Sequence, residues 1–161
     1  MKRLFLALSI ISFSLATIAF TSCNEDNSKD YPLPEIDNSE VSYQGDVTVL
    51  YKGENVVTNN VECSYHLINE AFLELTIKDI KFVPQMPVTV TPVISNIPYT
   101  KVIDGNGNFI ISFSADSIVP TIGNNPYETY TAKNIEGQIE NSSIQFSLNF
   151  GAYPTSYHGT K

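Results

Sequence analysis

Two hydrophobic patterns divide this chain. Residues 4–20 form an uncharged apolar run, whereas from residue 41 onward apolar positions recur at every second residue, the period of a strand with one buried face. Val47, Val49 and Tyr51 alternate with Thr48, Leu50 and Lys52. Residues 52–55 supply turn chemistry, and Val61, Cys63, Tyr65 and Leu67 repeat the alternation, which predicts a first antiparallel pair. Leu73, Leu75 and Ile77 share the next face, while Ile80 and Phe82 continue with opposite parity, so a bulge or bend is predicted at Lys78 and Asp79. Residues 69–82 also fit helical spacing through Phe72, Leu75 and Asp79, but β-branched content and the lack of a cap favour a strand.

Pro84 and Pro87 bracket a turn, and Pro92 confines the Val-, Thr- and Ile-rich residues 88–97 to an edge, a bulge or a strand break. The strongest turn is Asp104-Gly105-Asn106-Gly107, followed by a strand through Phe109, Ile111 and Phe113. Ile118, Pro120 and Ile122 suggest a short irregular continuation. Residues 127–139 read as one long alternating stretch with Thr129, Thr131, Ile135 and Ile139 on one parity. Beyond the turn at Glu140-Asn141-Ser142, the cleanest half-buried strand carries Ile144, Phe146, Leu148 and Phe150; residues 151–161 have no periodic pattern. About eight strands joined mostly by short turns, with no helix, predict an all-β antiparallel barrel or sandwich. An eight-stranded barrel is just wide enough to be filled by side chains or to hold one small ligand. The crowd of Phe and branched aliphatics at the inward positions predicts a filled interior, with any ligand at a rim.

The apolar run changes the picture of the N-terminus. Lys2 and Arg3 precede it and Phe20-Thr21-Ser22-Cys23 end it, the layout of a signal peptide, and Ser9, Ser12, Ser14 and Thr17 make it a poor membrane helix. The final four residues resemble the lipobox of bacterial lipoproteins, which implies cleavage before Cys23 and lipidation of its thiol. Asn24-Glu25-Asp26 resembles the surface-export signal of Bacteroidetes lipoproteins. Together they imply a lipid anchor in the outer membrane, with display at the cell surface. The expected organisation is a leader over residues 1–22, a lipidated start and flexible polar tether over 23–40, and one domain over 41–161.

Without the leader the chain keeps seven basic against 17 acidic residues and no basic patch, which excludes nucleic-acid binding. Cys63 lies beside Val61 and Tyr65 in the alternation and reads as a buried structural thiol. Met86-Pro87-Val88-Thr89-Val90, Asn96-Ile97-Pro98-Tyr99, Asp104-Gly105-Asn106-Gly107-Asn108-Phe109 and Ile135-Glu136-Gly137-Gln138-Ile139 occur in the order and rhythm of calycin-like β-barrel domains of Bacteroidetes lipoproteins. That resemblance implies a lipocalin-like barrel and an anchor; its motifs are turn and strand consensus, so it carries over no functional residue.

No nucleophile elbow, zinc-protease motif or phosphate-binding glycine loop is present, so no cofactor is expected. Glu54, Glu62, Glu74, Asp79, Glu128 and Glu136 are the carboxylates available to a hydrolase, and they read as solvated strand faces. Asp104, Asn106 and Asn108 stand at the first, third and fifth positions of a calcium-type loop. Phe109 and Ala115 occupy the sixth and twelfth places, where Gly and Glu are needed, so the loop reads as a hairpin turn and no metal is expected. Asp116-Ser117-Ile118 resembles an O-glycosylation site of exported Bacteroidetes proteins. Tyr127, Tyr130, Tyr153 and Tyr157 lie near loops or the tail, where their rings can stack on sugars or peptides. The expectation is a non-enzymatic barrel that binds a small molecule, glycan or protein partner through these four tyrosines. The alternative is an accessory envelope lipoprotein with no small-molecule ligand.

Overall fold

The structure is a computed structural model that describes residues 39–103 and 105–161. The leader, Cys23, nearly all of the tether and Asp104 lie outside the described residues. In chain order the elements are β1 (Val41–Tyr51), β2 (Glu54–Leu67), β3 (Phe72–Ile77), β4 (Pro92–Ile103), β5 (Phe109–Ile118), β6 (Thr121–Ile122), β7 (Asn125–Pro126), the 3-10 turn η1 (Glu128–Tyr130), β8 (Ala132–Glu140), β9 (Ser143–Phe150) and β10 (Tyr153–Thr160). Pairing runs antiparallel through β3, β2, β1, β10, β9, β8, β5 and β4, and β4 returns to β3. Eight strands thus close into an antiparallel barrel, an architecture compatible with the calycin-like fold. Closure removes most free strand edges. The ribbon of β6 and β7 extends from the start of β4.

Alternation decides which side chains fill this barrel. Val47, Val49, Leu73, Leu75, Ile77, Ile111, Phe113, Ile135, Ile139, Ile144, Phe146, Leu148 and Phe150 are all buried, each contributing roughly 1.5–3 kcal/mol by its removal from water. Phe109, also expected inside, is only half-buried, because it begins β5 at the barrel mouth, where the Lys101 ammonium lies 5.3 Å from its ring centroid. The first hairpin turns on Lys52 and Gly53, both at positive φ, the backbone that a two-residue hairpin with strand-matched twist requires. Pro92 is the first residue of β4, a strand position at which a missing N–H is tolerated. Residues 72–77 are a strand, as their β-branched content predicts.

At Lys78 and Asp79 the wall ends. The Lys78 N–H still donates to the Glu62 carbonyl at 2.9 Å, but Asp79 takes φ 53 and the chain turns inward. Ile80, bridged to Val90, and Phe82 are then buried over one end of the barrel. The parity change in the sequence marks the point where the chain leaves the wall and becomes a plug. The same end carries the β1–β2 turn, residues 119–131 and the β9–β10 turn, and is called the capped end here. Antiparallel order places the start of β1 and the end of β10 at the opposite end.

Two expectations fail. Residues 127–139 are not one strand: Glu128–Tyr130 is a 3-10 turn, β8 starts at Ala132, and Thr129 and Thr131 lie outside it. A register shift between Lys133 and Glu136, with Asn134 at φ 51, inserts a bulge that lets Ala132 and Ile135 both face the core although three residues apart. The tail, in which no period was visible, is β10, the strand that closes the barrel between β9 and β1. Its inward positions are Tyr153, Thr155, Tyr157 and Gly159, so the alternation is regular, but two of the four residues are not apolar. Gly159 is required there. A Cβ on it would come within 2.5 Å of the Tyr157 hydroxyl, which folds back over it.

Candidate functional site

Three of the four tyrosines singled out in the sequence meet at the capped end. Tyr127 and Tyr130 stack with ring centroids 5.2 Å apart, and Tyr130 and Tyr153 stack at 6.2 Å. Tyr51, which the sequence reading did not select, extends the row at 6.0 Å from Tyr153. Below them Phe82 stacks on Tyr130 at 4.2 Å and meets Phe150 at 4.5 Å, so the row is rooted in the core. Backbone hydrogen bonds hold the loop that presents it: Tyr127 N–H to the Pro120 carbonyl at 2.8 Å, and Gly151 N–H to the Thr131 carbonyl at 2.9 Å. Burial, with Tyr127 and Tyr153 adding to it, raises the Tyr130 phenol above its ordinary value. The four residues are half-buried.

Tyr157 is elsewhere. It is 2 % exposed, stacks on Phe146 at 5.2 Å and donates its hydroxyl hydrogen to the carbonyls of Val61 at 3.0 Å and Tyr43 at 3.2 Å. Both acceptors flank the shift of register between β1 and β2 at Gly45 and Val47, so Tyr157 braces that irregularity from inside. It is a structural residue rather than part of an open rim. Position in the tail suggested a rim; pairing of the tail into the wall turned it inward.

A second feature was absent from the sequence reading. The outer wall over β1, β10, β9, β8, β5 and β4 carries an open depression of about 840 Å3. Strand register shows how it is built. One row across the strands is Asp46, His158, Gln145, Gln138, Ser112 and Thr100; a parallel row is Thr48, Ser156, Ser147, Glu136 and Ser114. Between the rows run the backbones of Tyr157, Phe146, Gly137, Phe113 and Tyr99, whose side chains point to the other face. The floor is therefore peptide, and the walls are short hydroxyl and amide side chains. Gly137 lies at its centre, and a Cβ there would fall 2.3 Å from the Phe113 ring, so the wall can close onto that ring only without a side chain. Each polar residue is legible as the outward phase of an alternation. Which strands lie side by side is not.

Asp46 and Glu136 both line the depression, but β1 and β8 are separated by β10 and β9, about 14 Å at ~4.8 Å per strand. A pair of glycosidase carboxylates needs roughly 5–9.5 Å. On the opposite wall Glu74 accepts a hydrogen bond from Ser95 and lies 3.6 Å from His66 Nδ1. The carboxylate stands between serine and histidine, whereas nucleophilic activation needs histidine next to the serine. Glu62 accepts from Lys78 Nζ at 2.8 Å and Ser42 Oγ at 3.1 Å, and the lysine holds its carboxyl below the usual range. Cys63 is wholly buried, and burial followed by the nearby Glu62 charge raises its thiol far above the ordinary value, opposite to what a reactive cysteine needs.

In the Asp104 loop, Asn108 Oδ1 accepts from Asn141 Nδ2 at 2.7 Å, and Asn141 Oδ1 accepts from Phe109 N–H at 3.1 Å, so Asn141 ties two hairpin ends together. Among the described residues no three His, Cys, Asp or Glu side chains group as metal ligands. Ser117 is exposed on β5. No family model, no curated protein and no solved structure matches the chain.

Proposed function

We propose that the chain is a membrane-anchored lipoprotein of the outer membrane whose barrel is a non-enzymatic binding module, and that it contacts a ring-bearing ligand at the capped end. The observation that carries this reading is the row Tyr127, Tyr130, Tyr153 and Tyr51, rooted on Phe82 and reaching solvent. Rings held by stacking lose little freedom when a sugar face or an aromatic peptide side chain settles on them. The chain enters β1 at the end of the barrel opposite the tyrosine row. The anchor rests on Cys23 and its flanking sequence alone. The test is saturation-transfer NMR on the domain with monosaccharides and aromatic tripeptides. Transfer confined to the four tyrosines and lost in Tyr153→Ala supports the reading; no transfer to any of them refutes it.

One observation favours a second reading, that of an accessory envelope protein without a small-molecule ligand. The barrel interior is packed, and Val102 and Ile103 at the end of β4 are 62 % and 64 % exposed. They lie beyond the last β3 pairing, at Phe72 and Pro98, and so on the open edge of the β4–β5 hairpin. Partner capture that depends on Val102 and Ile103, together with intact binding in Tyr153→Ala, would favour this alternative.

A further inference from the structure

The depression on the outer wall plays no part in the tyrosine-end reading, and its chemistry is different. We propose that it is a groove for a neutral, linear polysaccharide chain that lies across the strands and is bound without being cleaved. Its lining comes from six neighbouring strands, an arc of about 24 Å along the curved wall at five steps of ~4.8 Å. It is open along its length, which suits a segment of a chain rather than a chain end. Its volume of about 840 Å3 is within the few hundred to about 1,000 Å3 of small-molecule sites, but it is drawn out instead of enclosed.

The lining selects the ligand class. Ser112, Ser147 and Ser156 carry hydroxyls and Gln138 and Gln145 carry primary amides, groups that both donate and accept and so match sugar hydroxyls without imposing a charge. No lysine or arginine lines the groove, while Asp46 and Glu136 do. An anionic chain would face these two carboxylates with no lysine or arginine to offset them. Asp46 and Glu136 stand on strands three steps apart, about 14 Å of backbone spacing, and the groove holds a chain without hydrolysing it. The peptide floor above Gly137 adds no bulk under the ligand. These features belong to the pairing of β8 with β5 and β9 and are independent of the tyrosine row.

The experiment is a titration of the 41–161 barrel by NMR with three neutral oligosaccharide series, β-glucan, mannan and xylan, from disaccharide to hexasaccharide. A polyuronate series of the same lengths is run alongside. In at least one neutral series, affinity is expected to rise with length until the chain spans the groove, with shifts at Ser112, Gln138, Gln145 and Ser147. Gln138→Ala with Gln145→Ala should weaken binding about tenfold, the loss of two net hydrogen bonds. Ser147→Trp, an outward substitution that fills the groove, should abolish it, and the melting temperature of each variant checks that the barrel is intact. Tyr153→Ala should leave this binding unchanged, which separates failure here from failure of the tyrosine-end reading. The proposal is overturned if no neutral series binds, if the polyuronates bind more tightly, or if binding survives Ser147→Trp. It also falls if the groove instead captures a protein segment in preference to every sugar.

Discussion

At the scale of single residues, burial sets the chemistry of the groups that looked reactive. Cys63 touches no solvent, and its thiol is raised by burial. A thiol reagent is therefore expected to leave the native domain unlabelled and to react within the dead time once the protein is denatured; rapid native labelling would refute the burial. Tyr43 and Tyr157 are enclosed in the same core, and burial raises both phenols above their ordinary value of 10.0. Above pH 10.0 the unfolded chain releases protons that the folded chain keeps, so stability must fall as pH rises beyond that value. Absorbance titration should show two tyrosines that ionise only with unfolding, and Tyr157→Phe should remove one of them. That variant also leaves the Val61 and Tyr43 carbonyls without their hydroxyl partner, at a cost of about 1–3 kcal/mol by chemical denaturation.

At the scale of elements, the plug formed by residues 78–91 joins core to surface. Phe82 is wholly buried between Tyr130 and Phe150, so Phe82→Ala should cost about 3–5 kcal/mol of stability and loosen the tyrosine row above it. Tyr130→Ala should cost less, because part of that ring is already wet. Equal losses from the two substitutions would show that the row is packing alone. Strand β10 has the opposite character: it is held by pairing to β9 along its whole length and to β1 from Thr155 to Thr160. Deleting residues 153–161 should abolish cooperative unfolding by circular dichroism. A tail without hydrophobic period would have been judged dispensable; its backbone ladder makes it part of the wall.

For the whole molecule, the barrel interior is lined by the buried side chains of Phe113, Phe146, Phe150 and branched aliphatics. The domain is expected not to retain a long-chain fatty acid: native mass spectrometry after incubation should return the apo mass, and a stoichiometric lipid complex would contradict the packing. For the proposed anchor, labelled fatty acid should enter the 161-residue chain expressed in a bacterium and not its Cys23→Ala variant. Equal labelling of the two would remove the anchor.

The all-β class, the strands with apolar alternation and the filled interior were written in local sequence, because a side chain's distance from water repeats every two residues wherever one sheet face is buried. Val47 and Val49 or Phe146 and Leu148 announce their face without reference to any other strand. The phase change at Lys78 and Asp79 was equally local. Three tyrosines of the candidate rim were found through their loops, but whether a given ring ended inside or outside was not a local matter. Tyr157 turned inward because β10 pairs with β1, a contact across more than a hundred residues, and Tyr51 joined the row because the same closure carries Tyr153 beside it. Thr155 and Gly159 could not signal burial by hydrophobicity, since hydrogen bonding of the backbone, not apolar side chains, fixes that strand. The outer groove is the extreme case. Its serines, glutamines and carboxylates are ordinary outward residues on five separate strands, and only strand order and register, which depend on closing the whole barrel, put them in two parallel rows.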